Sequence, residues 1–186
     1  MSSDLKTSTQ PKPAISATEP DWERETLRKW WEPNRQLLKS IRAYQKWSKH
    51  SGPFAPFRKA VATIQYRFWS VVTGAEIPLN SQISGGLLLP HPNGIVIHPK
   101  ASIGPNCLIF QQVTITGYVQ IGGHVDIGAG AKILRKVKIG NHVKIGANAV
   151  VLSDIPSYAT AVGIPARIIQ QTVAESDDSS DMLEDD

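Results

Sequence analysis

An isoleucine or valine recurs at every sixth residue from Ile97 to Val151, and a second apolar residue follows each one four positions later. The first series is Ile97, Ile103, Ile109, Ile115, Ile121, Ile127, Ile133, Ile139, Ile145 and Val151. The second is Ala101, Cys107, Val113, Val119, Val125, Ala131, Val137, Val143, Ala149 and Ile155. Six is neither the 3.6-residue period of a helix nor the two-residue period of a strand. It suits a short strand followed by a tight turn. Three such units close a triangular coil of about 18 residues, and stacked coils set the isoleucines in columns along the inside. Burial of each isoleucine contributes about 1.5–3 kcal/mol. The small residue four positions on gives the chain room to turn the corner. The ladder therefore predicts a mainly β protein built on a parallel β-helix, a solenoid whose coils touch only their neighbours. Ile77, Ile83 and Leu89 carry the columns upstream, for four to five coils.

The step fails once. Ile97 follows Leu89 by eight positions instead of six, and the surplus falls in Pro90, His91, Pro92, Asn93 and Gly94. Two prolines and a glycine fit an irregular backbone that a strand does not tolerate. The expectation is a bulge on the prism wall with the His91 imidazole turned outward. With an ordinary pKa of about 6.5, imidazole takes and returns protons near neutral pH.

Charge divides the chain into unequal parts. Residues 1–76 hold 13 Lys/Arg and 7 Asp/Glu, and 77–173 hold 7 bases but only Asp126 and Asp154. The last stretch, 174–186, holds 7 acids and no base. A solenoid with a modest basic excess suits an anionic small ligand. We read residues 1–20 as disordered, 21–75 as a helical cap, 76–170 as the β-helix and 171–186 as a disordered acidic tail. Within the cap, 21–32 and 34–50 read as helices broken near Pro33. After GPFAP, Phe57, Val61, Ile64, Phe68 and Val71 form another helical stripe, ended by Gly74. Trp22, Trp30, Trp31 and Trp47 lie in the cap among basic residues, so contact with a membrane surface is an alternative to packing over the first coil and against other subunits. Nucleic acid is not an expected partner. The single cysteine, Cys107, excludes a disulfide framework and falls in the inward series. The polar N-terminal stretch has no apolar core of a signal peptide, and no apolar run approaches the ~20 residues of a membrane span, so a cytoplasmic location is expected.

The segments GLLLPHPNGIVI (86–97), VTITG (113–117), IGAGAKIL (127–134), IGANAVVL (145–152) and AVGIPARII (161–169) together resemble the serine O-acetyltransferase family, hexapeptide-repeat acyltransferases. The resemblance covers about half the chain. It implies left-handed coiling and an acetyl-CoA-dependent O-acetyltransferase, with acetyl-CoA as co-substrate and no metal. It implies a homotrimer or a dimer of trimers, with the site in the cleft between subunits. It makes His91 the general base that takes the proton of an acceptor hydroxyl as the oxygen attacks the thioester. Glu76 falls on the preceding coil, where the family has an aspartate that orients the histidine. Gly117, Ala129 and Ala147 would line the pantetheine arm, and Lys132, Lys144 and Arg167 would meet the phosphates.

The sequence also departs from that family. The family inserts an extended loop with an Arg-His pair for serine where this chain has an unbroken step from Ile115 to Ile121. Pro90 stands where the family places an aspartate for the serine amino group, and a proline there resembles the sugar and polysaccharide O-acetyltransferases of the same superfamily. The acceptor is thus a small molecule with a hydroxyl, serine or a sugar. The competing reading is a non-catalytic β-helix that binds a partner through its cap. His124 and His142 stand 18 apart and should stack, but no histidine pair has the spacing of the zinc-binding β-helix enzymes.

Overall fold

The computed structural model describes residues 15–171; the expectations for positions before 15 and for the acidic stretch from 172 onward lie outside the described residues. The body is a three-walled, left-handed parallel β-helix. Two-residue strands form each wall. The first wall stacks Val96–Ile97, Thr114–Ile115, Lys132–Ile133 and Val150–Val151. The second stacks Gln82–Ile83, Ser102–Ile103, Gln120–Ile121 and Lys138–Ile139. The third stacks Leu108–Ile109, Asp126–Ile127 and Lys144–Ile145, then Ala159–Val162 and its antiparallel partner Arg167–Gln171.

The inward columns are those the ladder predicts. Ile97, Ile115, Ile133 and Val151 align in parallel register, as do Ile109, Ile127 and Ile145. All are at most 3% exposed, and the second apolar series, from Ala101 to Ala149, is equally buried at the corners. The corners share one backbone device. Asn106, Gln112, Tyr118, His124, His142 and Asn148 each lie three positions after an inward isoleucine and have φ between 53° and 62°. This left-handed region is open to Asn and His more readily than to most residues.

The walls depart from the regular coil length at both ends. In the first coil the pairs are Glu76 with Val96, Gln82 with Ser102 and Leu88 with Leu108, each separated by two positions more than the regular coil. In the last, Ile139 pairs with Ile155 and Ile145 with Ala161, each separated by two positions fewer. The first change is the bulge. The second differs from the spacing's expectation: Ile155 belongs to the second wall, not to the corner series, so the last corner is shortened.

The cap consists of α1 (Pro33–Ser48) and α2 (Ala55–Thr73). Proline at the first position starts α1 where its missing N–H costs nothing. Leu37, Leu38 and Ile41 of α1 close the open end of the prism and join the same core as the isoleucine columns. Arg42 fastens the helix: it pairs with Glu25 at 2.8 Å and donates to the carbonyls of Ile83 and Ser84 at 2.6 Å each. Residues 21–32 are not a helix. Only Trp22–Glu25 makes a single 3-10 turn, capped by Asp21, because this segment follows the prism edge with Trp22 lying against Gly85. The α2 stripe of Phe57, Val61, Ile64, Phe68 and Val71 faces outward, and α2 packs instead through Ala55, Ala62 and Thr73. Gly74 ends α2 in the left-handed region, at φ 63°. No helix among the described residues is long and apolar enough to cross a membrane.

Candidate active site

The surplus residues 90–94 form the corner between the third and first walls, and His91 is exposed there. Backbone bonds pin the bulge on both sides. The Gly94 N–H donates to the Gly74 carbonyl at 2.8 Å, and the Gln112 N–H to the Asn93 carbonyl at 2.9 Å. Gly94 has φ 70°, a conformation that few side-chain-bearing residues adopt. Asn34, in the first turn of α1, donates from Nδ2 to the Leu89 carbonyl at 3.0 Å. His91 is thus held on a short, braced projection at the end of the prism nearest the cap.

Glu76 lies one coil above, paired through its backbone with Val96, and its side chain is exposed. The coil therefore brings Glu76 and His91 to neighbouring positions on the same end of the first wall. No hydrogen bond or ion pair joins their side chains among the described residues.

The remaining residues implied by the resemblance fall on three edges. Ala129 and Ala147 lie at the His91 corner. The Gly130 N–H donates to the Gln111 carbonyl and the Asn148 N–H to the Ala129 carbonyl, each at 2.8 Å, so this corner is a continuous ladder below the bulge. Lys132 stands beside it, its Nζ donating to the carbonyls of Gln112 at 2.9 Å and Gly130 at 3.0 Å. Arg167 is exposed next to Ala166, whose N–H donates to the Val150 carbonyl at the foot of the same corner. Gly117 instead occupies the opposite edge of the first wall, where an added Cβ would meet the His98 ring at 2.9 Å. Lys144 lies on the far edge of the third wall, in a cleft with His124, Asp126, His142 and Tyr158. So His91, Ala129, Lys132, Ala147 and Arg167 share one edge, and Gly117 and Lys144 do not.

His124 and His142 do stack, with Nδ1 to Nδ1 at 2.8 Å and ring centroids 4.9 Å apart, and Tyr158 continues the stack on His142. Burial pushes the His124 pKa down, and the facing His142 adds to this while Asp126 opposes it. No group of three or more metal-ligating side chains occurs among the described residues. Cys107 is fully buried, and burial raises its thiol pKa to about 11, which keeps it protonated and inert.

Residues 118–153 match the family model described as bacterial transferase hexapeptide (six repeats). A serine acetyltransferase of Synechococcus elongatus is 38% identical over 110 residues, which are 55% of this chain and 45% of that protein. One from Staphylococcus xylosus is 44% identical over 107 residues, 53% of this chain and 50% of that protein. A solved serine acetyltransferase in complex with CoA superposes with a TM-score of 0.63 at 34% identity, over 75% of this chain and 58% of that one. Another, in complex with cysteine, gives 0.63 at 33% identity, over 77% and 56%. The solenoid is thus similar in sequence and in fold to these serine acetyltransferases. The chain spans about half the length of the curated relatives it matches. The part it shares with the solved enzymes reaches beyond the six-repeat segment.

Sequence reasoning locates the bulge, and the resemblance names residues of which Ala129, Lys132, Ala147 and Arg167 fall on the edge below it. Both miss the first turn of α1 as a wall of the site, because only the folded chain brings Asn34 to Leu89.

Proposed function

We propose that the protein is an acetyl-CoA-dependent O-acetyltransferase of the serine acetyltransferase type, acting on a hydroxyl of serine or a sugar. The observation that carries this reading is the braced, outward His91 at the head of a ladder of small residues, in a solenoid with a solved relative in complex with CoA. In the proposed reaction His91 takes the proton of the acceptor hydroxyl. The oxygen attacks the thioester carbonyl, a C–O bond forms, the C–S bond breaks, and the coenzyme leaves as a thiol that recovers the proton. Among the described residues no nucleophilic side chain hydrogen-bonds to His91, which favours direct attack over an acyl-enzyme. Glu76 serves as the positioning residue, holding the ring tautomer and stabilising the imidazolium. It is one methylene longer than the aspartate of the family.

The small residues Ala129 and Ala147 let the amide-rich pantetheine arm lie against backbone groups of the edge. Lys132 and Arg167 on that edge supply charge for the phosphates. Gly117 and Lys144, on other edges of the prism, serve the same groove only if a neighbouring subunit contributes them, which fits a trimer of prisms with sites between subunits. The exposed Phe57, Ile64 and Phe68 of α2 form an apolar face suited to packing between subunits. The test is His91→Ala. Thiol release from acetyl-CoA in the presence of acceptor should fall by at least about a thousandfold, with affinity for coenzyme A kept within about twofold. Full turnover by that variant would overturn the assignment.

A further inference from the structure

A cleft of about 410 Å³ lies between the start of α1 and the chain that leads into the bulge. Arg24, Arg28 and Arg35 line it, with Asp21, Asn34 and Pro90. Pro90 is bonded directly to His91, so the lining of the cleft ends one residue along the chain from the proposed base. The Asn34 bond to the Leu89 carbonyl fixes the helix end to the same stretch.

The cleft has the chemistry of an anion site. Three guanidinium groups line it with one carboxylate, and a second carboxylate, Glu32, lies outside the lining against Arg35. The lining carboxylate, Asp21, already accepts the Glu23 N–H at 3.0 Å as the cap of the 3-10 turn. Arg24 has a buried Nη1 with no hydrogen-bond partner, one of three such side-chain atoms among the described residues. A buried guanidinium nitrogen left unpaired is costly unless a ligand or a bound water satisfies it. Arg35 has a side chain only 11% exposed, and it is held in place by the Thr26 carbonyl and by Glu32 at 3.8 Å. Arg28 is exposed. The start of α1 has no acid in its first turn, but its N-cap residue is Glu32, whose carboxylate accepts the Arg28 and Lys29 N–H groups and offsets the helix dipole there. Pro90 offers no charge to an ammonium group.

We propose that this cleft binds an oxyanion of the acceptor and, with three cations to one lining acid, favours a hydroxyl compound of net negative charge, a phosphorylated or carboxylated sugar, over net-neutral serine. The proposal rests on the acetyltransferase reading, because it assigns the acceptor subsite of that reaction. Guanidinium pairs bind phosphate and carboxylate in the same forked geometry, so the two sources share one chemistry.

The test uses the full chain with glucose 1-phosphate, glucuronate, glucose and serine, and compares wild type with an Arg24→Gln/Arg28→Gln double variant. Calorimetry should show binding of at least one charged sugar that weakens tenfold or more in the variant. In the thiol-release assay that sugar should exceed glucose and serine at least tenfold in kcat/KM. The variant should raise its KM tenfold or more with kcat within twofold. The stronger of glucose 1-phosphate and glucuronate identifies the anion. Because Arg28 is exposed, Arg28→Gln alone gives the same reading should the double variant not fold, with a KM rise of at least threefold. Equal use of glucose or serine, or charged-sugar binding unchanged in the variants, would overturn the proposal. If charged sugars bind in an arginine-dependent way while acetyl-CoA does not bind, the cleft stands and the transferase reading falls. If wild type and variant acetylate serine equally, the transferase reading stands and the cleft assignment falls.

Discussion

Ile127 sits in the middle of the third column, fully buried, with Ile109 in register on one side and Ile145 on the other. Truncation to alanine removes three carbons. At about 0.8 kcal/mol per buried carbon the lost transfer energy is roughly 2.4 kcal/mol. Two-residue strands clamped by ladders on both sides leave little freedom to collapse, so a cavity contribution brings the total to about 3–4 kcal/mol. Ile155 provides the comparison. It has Ile139 on one side only and is 5% exposed, at the foot of the prism. With one stacking partner and a coil free to relax, Ile155→Ala should cost about 2 kcal/mol. For a chain of this size the central variant should melt about 6–16 °C below wild type, and the terminal one about 4–8 °C. The assay is urea unfolding followed by far-UV circular dichroism, with thermal melts alongside. It should be run at several protein concentrations, so that subunit association is separated from coil stability. The argument is that each coil draws its stability from two neighbours. Equal costs at the two positions, within the error of the unfolding fits, would refute it.

Two further outcomes follow from titratable groups. The Cys107 thiol, raised by burial to about 11, stays neutral in the folded protein while the unfolded thiol ionises near 9. The unfolded state then binds fewer protons, so stability should fall between those values as pH rises, by on the order of 2–3 kcal/mol in all. Cys107→Ala should flatten that slope in unfolding titrations, and wild type should not react with an aromatic disulfide reagent at pH 8 until it is unfolded. His124 shows the opposite sign. Its folded pKa lies below the ordinary histidine value, so its stabilising contribution is complete above about 6.5 and is lost as pH falls through the lowered folded value. His124→Asn keeps a residue that tolerates φ 53° and should remove part of the acid-side loss in thermal melts between pH 7 and 5.

The solenoid was legible because a column of stacked side chains imposes one pitch on every coil, and any residue out of step would face water. The bulge was legible for the same reason, as the one place where the pitch fails within the regular run. The shortened last corner was not. Ile155 satisfies the corner series as well as it satisfies a wall, since both positions are buried and apolar. Residues 21–32 carry helix formers yet follow the prism edge, where Trp22 covers Gly85 and the Asp21 N–H donates to the Asn106 side chain at 2.8 Å. Those tertiary contacts override local propensity and leave no mark on the local pattern. The α2 stripe has a helical period, yet periodicity identifies an apolar face without saying what covers it. Of the site, the bulge at His91 could be read from spacing, and the residues on the edge below it only from the family resemblance. The arginine cleft could not, because residues 24, 28 and 35 meet 87–90 only after α1 has closed over the first coil.

The two irregular coils occupy the two ends of the prism, and this position is a requirement of the fold. An extra pair of residues in an inner coil would have to be accommodated by backbone ladders above and below at once. In the first coil only one side carries a regular neighbour, and α1 supplies the other. Its Asn34 bonds Leu89, its Arg42 bonds Ile83 and Ser84, and its Leu37, Leu38 and Ile41 complete the core. The cap is therefore what permits the chain to lengthen there, and the lengthening is what projects His91. It follows that weakening the cap should harm the site before it harms the prism. Arg42→Ala leaves Glu25 with a side chain 8% exposed and without its cation, and frees two coil carbonyls. A loss of about 3–5 kcal/mol is expected from breaking such a buried pair. Catalysis should fall at denaturant concentrations where the circular dichroism of the β-helix is still intact. Simultaneous loss of both signals would mean that cap and coils unfold as one unit and that the bulge does not depend on α1 in particular.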